Sequence, residues 1–552
     1  MPSASVRSGA SQDGLRAPLY YLPEMLRTLG VVLFVISQLV VAQSIVKRDS
    51  DASDNFFKKG LIPAFEIVVA PEDVAKLKSA PREYVKGRLF EGGKLAFDSI
   101  GVKLKGAAGS FREWDDRPAL TIKVDKFDKS QTWRALKKFH LNNAVQDDTW
   151  QHDLLGWDLM SRAGIPAARV SHARVVLNGR DVGLYVLKEA IDSTFLARHF
   201  ERPEGNLYDG GFCQDVDVDL ERDSGDGPND KSDLKAIREA LAITDLKSKW
   251  ESLGKLIDVK ACVNFMAMEL LINHWDGYTQ NRNNYRLYRD PSTGKFVFIP
   301  HGMDQIFGDA DAAVLDMPSS LVSNAVMRNP EWRLMYRKRL SELVGLLLPT
   351  DRMFSRIDEV RKRLAPVLEL IDPKVAREYE GRVRGLKDRI TGRMKFVKEQ
   401  AALPEPKPLA LSVGASAVLR TWRKAPETED AKLLEVKAAG ERQYLIGVGK
   451  SGQCVASWRK MVPLPKGKYR FSASLRTEGV VAVAAPVNFG AGIRVNGADR
   501  PVGVAGESTW KTVSFDFEVT EEARDVEFVL ELRATRGSAW FNLDSLKLKR
   551  LG

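Results

Sequence analysis

Cysteine and histidine are scarce, three and six in 552 residues, and that scarcity removes several chemistries at once. Cys213, Cys262 and Cys454 are odd in number and far apart, so they form no disulfide framework, and at most one bridge could join them. Cys262 sits in an apolar run and reads as a buried thiol. No His or Cys spacing matches a zinc centre, and neither a Ser-His-Asp arrangement nor a nucleophilic-cysteine signature occurs. Long apolar runs are missing too. Leu29–Ala42, interrupted by Ser37 and Gln38, falls short of the about 20 residues a bilayer span requires. It follows a basic start near Met25 and ends in small residues, the pattern of a secretory signal peptide cut after Ala42. Residues 1–24 then read as an upstream extension, and a single uncleaved anchor is the alternative. The expected location is secreted or at the cell envelope. The net charge of +11 would tolerate an anionic partner, but no aromatic–basic platform or nucleic-acid motif is present, so no nucleic acid is expected. The acidic stretch Gln214–Asp233 lacks the spacing of an EF-hand and reads as an exposed loop.

A chain of this length predicts two or three domains. After a linker over 43–60, residues 61–401 mix strands and helices. Ile62–Ala70, Phe90–Phe97 with Ser99–Lys105, Arg117–Val124 and Lys138–Asn143 predict strands, and Asn178-Gly179 predicts a hairpin between Arg169–Leu177 and Val182–Lys188. Asp147 and Asp148 open a helix through Leu154–Met160. Long helices follow over 328–348 and 350–401, the latter broken at Pro366 and Pro373. The Pro-rich stretch 402–410 is the predicted boundary. Beyond it, 411–552 turns to short alternating strands, a β-sandwich pattern in which Trp458, Tyr469 and Trp540 serve either the core or a sugar-stacking face. The fold class is therefore α+β followed by an all-β domain.

The densest chemistry lies in Asn273–Asp309. Asp276, Asn281, Asn283, Asn284, Asp304 and Asp309 surround two short strand-like segments, Asn284–Arg289 and Lys295–Ile299, joined by Asp290-Pro-Ser-Thr-Gly294. A hairpin there brings the Asp276–Asn284 loop toward Asp304. Carboxylates and carboxamides are hard oxygen donors suited to magnesium, although the same residue types also close Asx turns. His274 and His301 flank the two acidic centres. Upstream, Lys105-Gly-Ala-Ala-Gly-Ser110 is a small-residue loop after a strand, a shape that lets backbone N–H groups approach phosphate.

The pattern D-x-x-x-x-N-x-N-N-Y-x-L-Y, a strand, then I-P-x-x-x-D-Q-x-F-G resembles the spore coat protein H (CotH) kinase family. The resemblance implies an atypical protein-kinase-like fold, ATP with magnesium (or manganese), and phosphoryl transfer to Ser or Thr of an acceptor protein. It implies Asp276 as the catalytic Asp that orients or deprotonates the acceptor hydroxyl, Asn283, Asn284 and Asp304 as metal ligands, and Lys105, Gly106, Ser110, Arg117 and Glu189 around the nucleotide, with Glu189 at the hinge or paired with Arg117 or Lys105. Two positions depart from the family: Gly302 stands where a first metal-loop Asp is usual, and Arg117 where a lysine is. The closing strand Ala539–Lys549 resembles carbohydrate-binding modules, implying a polysaccharide as a partner of the C-terminal domain. The alternative to a kinase is a pseudokinase scaffold anchored through that domain.

Overall fold

A computed structural model describes residues 52–438, 440–483, 489–498 and 502–552, with backbone alone at 521–523. The signal-peptide expectation falls outside the described residues. The chain divides into two units, Met1–Ala402 and Leu403–Gly552.

In the first unit, helix α1 (Ala52–Lys59) precedes a closed barrel of seven strands. These are β1 (Ala64–Val69), β2 (Val85–Glu91), β3 (Lys94–Lys105), β4 (Ala119–Lys123), β5 (Lys138–Asn142), β6 (Val170–Leu177) and β7 (Arg180–Glu189), in the order β1-β2-β3-β4-β5-β7-β6. Pairing of β1 antiparallel to β2 and parallel to β6 closes the ring. Period-2 alternation fills the interior: Phe65, Ile67, Val102, Ile122, Phe139 and Leu187 belong to one buried cluster. Helix α2 (Pro71–Ser79) links β1 to β2, and α3 (His152–Arg162) and α4 (Ser193–His199) flank the β6–β7 hairpin in sequence. Asp147 accepts the His152 N–H at 2.8 Å and so caps α3 from five residues upstream.

A second sheet, ordered β11-β10-β8-β9, consists of β8 (Leu207–Asp209), β9 (Glu221–Ser224), β10 (Tyr285–Asp290) and β11 (Lys295–Pro300). It packs with α5 (Ser232–Ala242), α6 (Leu246–Leu256), α7 (Val259–Leu271), the single turn α8 (Tyr278–Asn281) and α9 (Leu321–Arg328). Three longer helices complete the unit: α10 (Pro330–Leu347), α11 (Asp351–Ile371) and α12 (Pro373–Ala401).

Two expectations change here. Pro366 lies inside α11 and does not end it. Its ring is exposed, while Val360, Leu364 and Leu368 keep a buried stripe running past it, enough to offset the about 3 kcal/mol an interior proline costs. The stretch Gln214–Asp233 is not simply an exposed loop. It contributes β9, and Asp215 is buried, accepting from the Tyr278 hydroxyl at 2.9 Å and the Leu321 N–H at 2.8 Å.

The second unit is strand-rich. β12 (Ser416–Val418), β13 (Arg423–Pro426), β14 (Lys432–Ala438), β15 (Glu441–Gly447), β16 (Cys454–Ala482), β17 (Gly490–Val495), β18 (Gly506–Asn542) and β19 (Lys547–Arg550) assemble about the order β12-β19-β16-β18-β15-β14. Strands expected to be separate are continuous, because the Pro463-Leu-Pro465 bend keeps its pairing, with Pro463 still opposite Asp525. Trp458 is buried against Tyr444, ring centroids 4.1 Å apart, and Tyr469 is fully buried, so both serve the core. Trp540 is half-buried with Arg476 3.8 Å above its ring, and the exposed Trp510 meets the same guanidinium at 5.8 Å. All three cysteines are free thiols. Burial drives the Cys262 thiol far above its ordinary range.

Candidate active site

A cleft of about 520 Å³ gathers residues from five distant stretches of the first unit. Lys105 with Gly106 and Ser110, Asp153 with Lys188, Asp276 with Asn283 and Asn284, and Asp304 all line it. Their positions follow from strand ends. Lys105 ends β3, Lys188 is the penultimate residue of β7, Asn284 precedes β10 and Asp304 follows β11.

Asp276 is held by amides. Its Oδ1 accepts from Asn281 Nδ2 at 2.5 Å, Asn283 Nδ2 lies 3.1 Å from both carboxylate oxygens, and Asn284 Nδ2 donates to Oδ2 at 2.7 Å. Each amide that donates through nitrogen turns its carbonyl oxygen the other way, so the asparagine run both orients a carboxylate and offers oxygen ligands.

The loop carrying Asp304 is tied to this centre through Glu269 and His274. His274 Nε2 donates to the Gly302 carbonyl at 2.8 Å, and its Nδ1 lies 3.2 Å from Glu269 Oε1. Glu269 Oε2 accepts from the Thr279 N–H at 2.9 Å and hydroxyl at 2.6 Å. Burial alone would lower the His274 pKa, but the Glu269 hydrogen bond and charge, joined by the Gly302 carbonyl, raise it. His274 is thus a tie between loops. A second tie runs from α3, where His152 Nδ1 bonds the Asp304 carbonyl at 2.8 Å. Gly302 has φ +46°, and a Cβ there would stand 2.2 Å from Asn284 Oδ1. The position of the usual family Asp is therefore filled by the Asn284 side chain.

The opposite wall is cationic. Lys105 Nζ donates to Asn142 Oδ1 at 2.6 Å, Asn142 Nδ2 donates to Asp153 Oδ2 at 2.8 Å, and Trp157 Nε1 donates to Asp153 Oδ1 at 3.1 Å. Burial, then the nearby Lys188 charge, pull the Lys105 ammonium down to about 7. Asp304 is pushed up by burial and by Asp153. Asp153 goes down in spite of burial, because Lys188, Asn142, Lys105 and Trp157 outweigh it. The small-residue loop is closed by Ser110, whose Oγ accepts the Ala107 N–H at 3.2 Å, and Asn143 Nδ2 braces it through the Ser110 carbonyl at 3.0 Å. Gly106 adopts φ +98°, a conformation that favours glycine.

Two expected residues lie elsewhere. Arg117 does not line the cleft: its guanidinium donates to the Leu184 carbonyl and lies 5.8 Å and 5.4 Å from the Trp150 and Tyr185 rings. Glu189 pairs with neither Arg117 nor Lys105. Arg169 Nη2 donates to it at 2.7 Å and Arg198 Nη2 at 2.5 Å, in a buried structural cluster. Strand alternation is the reason, since Glu189 and Lys188 necessarily point to opposite faces of β7. Lys188, Asp153, Glu269 and Asn142 were missed. Glu269 did carry a signal, being the one charge between Ala261 and Leu271 in α7. His301 also lines the cleft, and burial with the Lys188 and Arg286 charges keeps it neutral.

Among the described residues no three His, Cys, Asp or Glu side chains converge as a metal cluster. The cleft lining includes the Asp304, Asp276 and Asp153 carboxylates together with the carboxamides of Asn283 and Asn284.

Comparison with known proteins bears on this geometry. The family described as CotH kinase protein matches residues 102–397, more than half of the chain and all of the cleft residues above. The chain is 25% identical over 280 residues to the inner spore coat protein H of Bacillus subtilis, covering 46% of this chain and 75% of that protein. It is 24% identical over 330 residues to the invasin CotH2 of Rhizopus delemar, covering 53% of this chain and 54% of that one. The chain therefore spans three quarters of the bacterial relative and about half of the fungal one. Among solved structures it is similar to TmCBM61 in complex with beta-1,4-galactotriose, at 21% identity over 23% of this chain and 88% of that one, with a TM-score of 0.18.

Proposed function

Because this chain belongs to the CotH kinase protein family, we propose that it is an atypical, kinase-like phosphotransferase that moves the γ-phosphate of ATP to Ser or Thr of a surface or secreted protein. The observation that carries this is the convergence of Asp276, Asn283, Asn284 and Asp304 with Lys105 and the Gly106–Ser110 loop in one cleft. The donor set fits the cofactors. Asp304 and the two asparagine oxygens are hard ligands that would hold magnesium or manganese, and the ammonium and small-residue loop suit phosphate oxygens. Bound there, the metal would neutralise charge on the β- and γ-phosphates.

Asp276 receives the acceptor hydroxyl. Its amide partners keep it aimed, and the hydroxyl enters by displacing the longer Asn283 contacts at 3.1 Å. Lys105 stabilises phosphate charge, and the His274 tie keeps the two acidic loops in register. Catalysis of this kind is positioning and charge stabilisation. The spore coat and invasin names of the relatives support action at or outside the cell surface. In the second unit, the Trp540–Arg476–Trp510 surface supports a polysaccharide as the partner.

Gly302 favours a second reading, a scaffold with weak or no transfer, since the metal loop has one carboxylate fewer than the usual family pattern. One assay separates the two. With γ-labelled ATP and magnesium or manganese, autophosphorylation or labelling of a generic acceptor that disappears in Asp276→Ala and Asp304→Ala supports the transferase. No label in the wild type with either metal supports the scaffold.

A further inference from the structure

The cation expected to pair with phosphate, Arg117, is committed to the Leu184 carbonyl and lies outside the cleft. The cleft nevertheless holds another cation besides Lys105. Lys188 on β7 lines it and is 1% exposed, and its Nζ has no hydrogen-bond partner among the described residues. Its nearest counter-charge, Asp153 Oδ1, stands at 3.9 Å, beyond hydrogen-bond reach. Asp153 cannot close that gap without cost, because Asn142 and Trp157 already hold both of its oxygens. The Trp157 ring, 5.4 Å away, is the other neighbour. A buried ammonium has three donors, and leaving them unmet is strongly unfavourable.

Lys105 shares the same wall, its own Nζ satisfied by Asn142 at 2.6 Å. Two ammonium groups face one cavity with a single carboxylate between them, and the unmet donors belong to Lys188. What completes this wall is a multiply charged anion whose oxygens reach both lysines. A compact ammonium on a flexible stem suits a phosphate chain better than a guanidinium already docked on aromatic rings.

We propose that Lys188, spaced by Asp153 on α3, is the phosphate-binding cation of this chain, replacing Arg117 in pairing with the polyphosphate of a nucleoside triphosphate. The lysine arrives from β7, the strand that faces β5 with Lys188 opposite His140, instead of from the strand that follows the small-residue loop. The identity of the ligand as a nucleotide rests on the kinase reading above; the anion site itself does not.

The test titrates the full chain with magnesium-ATP and, separately, with inorganic tripolyphosphate, comparing wild type, Lys188→Met and Arg117→Lys by calorimetry and thermal melting. Lys188→Met is expected to lose at least tenfold in ATP affinity while the unliganded protein still melts cooperatively. Arg117→Lys is expected to stay within twofold in affinity. A merely structural lysine would not lose binding in a protein that still folds. Should Lys188→Met melt early, Lys188→Gln carries the same expectation. Wild-type affinity for ATP in the Lys188 variants, or a tenfold loss in Arg117→Lys alone, overturns the proposal. Tripolyphosphate binding that depends on Lys188, without ATP binding, keeps the anion site and removes the nucleotide reading. Binding of neither probe by the wild type overturns both.

Discussion

The two units each bury a charge cluster, and the clusters are built oppositely. In the second unit Arg494 and Glu531 are both buried, with Nε–Oε1 at 2.7 Å and Nη2–Oε2 at 3.3 Å, and Arg533 Nε reaches the same carboxylate at 3.4 Å. That carboxylate is gripped at both oxygens. In the first unit Lys188 and Asp153 are as deeply buried, yet stand 3.9 Å apart with the ammonium unbonded. A closed pair repays its desolvation within the fold and is a structural joint. An open one has been left for a partner that is not part of the chain.

The contrast is sharpest where activity and stability separate. Asp276→Asn is expected to lower phosphoryl transfer about a thousandfold, in the range general-base loss produces, with a melting temperature near wild type; equal loss of both would erase the distinction. Glu531→Ala should do the reverse. Leaving Arg494 buried and unpaired costs about 3 kcal/mol, read as earlier unfolding of the second unit in denaturant, while label transfer by the first unit persists. Gly302→Ala combines the two effects on a smaller scale, because φ +46° and the Asn284 contact strain any side chain there. A destabilisation of about 2 kcal/mol and weakened metal dependence of labelling are expected.

The pH response follows from Lys105. Its ammonium is lowered from the ordinary 10.5 to about 7, so between those values the unfolded chain binds the extra proton. Stability contributed by this group therefore rises with pH across that window, and Lys105→Met should flatten the slope seen in melting curves. Anion binding recharges the group, so ATP titration near pH 8 should take up protons, measurable by calorimetry in buffers of different ionisation enthalpy. The smallest effect belongs to the second unit's surface. Trp510→Ala should change stability by less than about 1 kcal/mol and reduce retention on a polysaccharide column; unchanged retention would leave that surface without a role.

Much of this was legible in the chain. The Asn178-Gly179 hairpin, the β10–β11 hairpin and the gathering of Asp276 with Asn283 and Asn284 are local, and turn chemistry and spacing suffice for them. Lys105, Gly106 and Ser110 line the cleft because a strand end fixes them. Arg117 and Glu189 failed for reasons spacing does not encode. Arg117 is captured by the Leu184 carbonyl, from a strand 67 residues on. Glu189 is one residue out of phase with the cleft face, and which face of β7 looks at the cleft is decided by the barrel. The Glu269–His274–Gly302 tie needed the positions of two loops at once. Pro366 was misjudged because a proline's local preference was weighed without the buried stripe that overrides it.

The closed barrel has a practical consequence for anyone trimming this protein. The family match begins at residue 102, inside β3, whereas β1 and β2 lie upstream of it and supply the seam between β3 and β6. A chain cut to 102–397 would lose two of the seven barrel strands and most of a third, uncover Val102, Leu104 and Val175, and present two raw strand edges to its neighbours in solution. Such a fragment should aggregate, although every cleft residue would still be present. The borders of recognisable ancestry and of foldability do not coincide here, and the second must set where the scissors go.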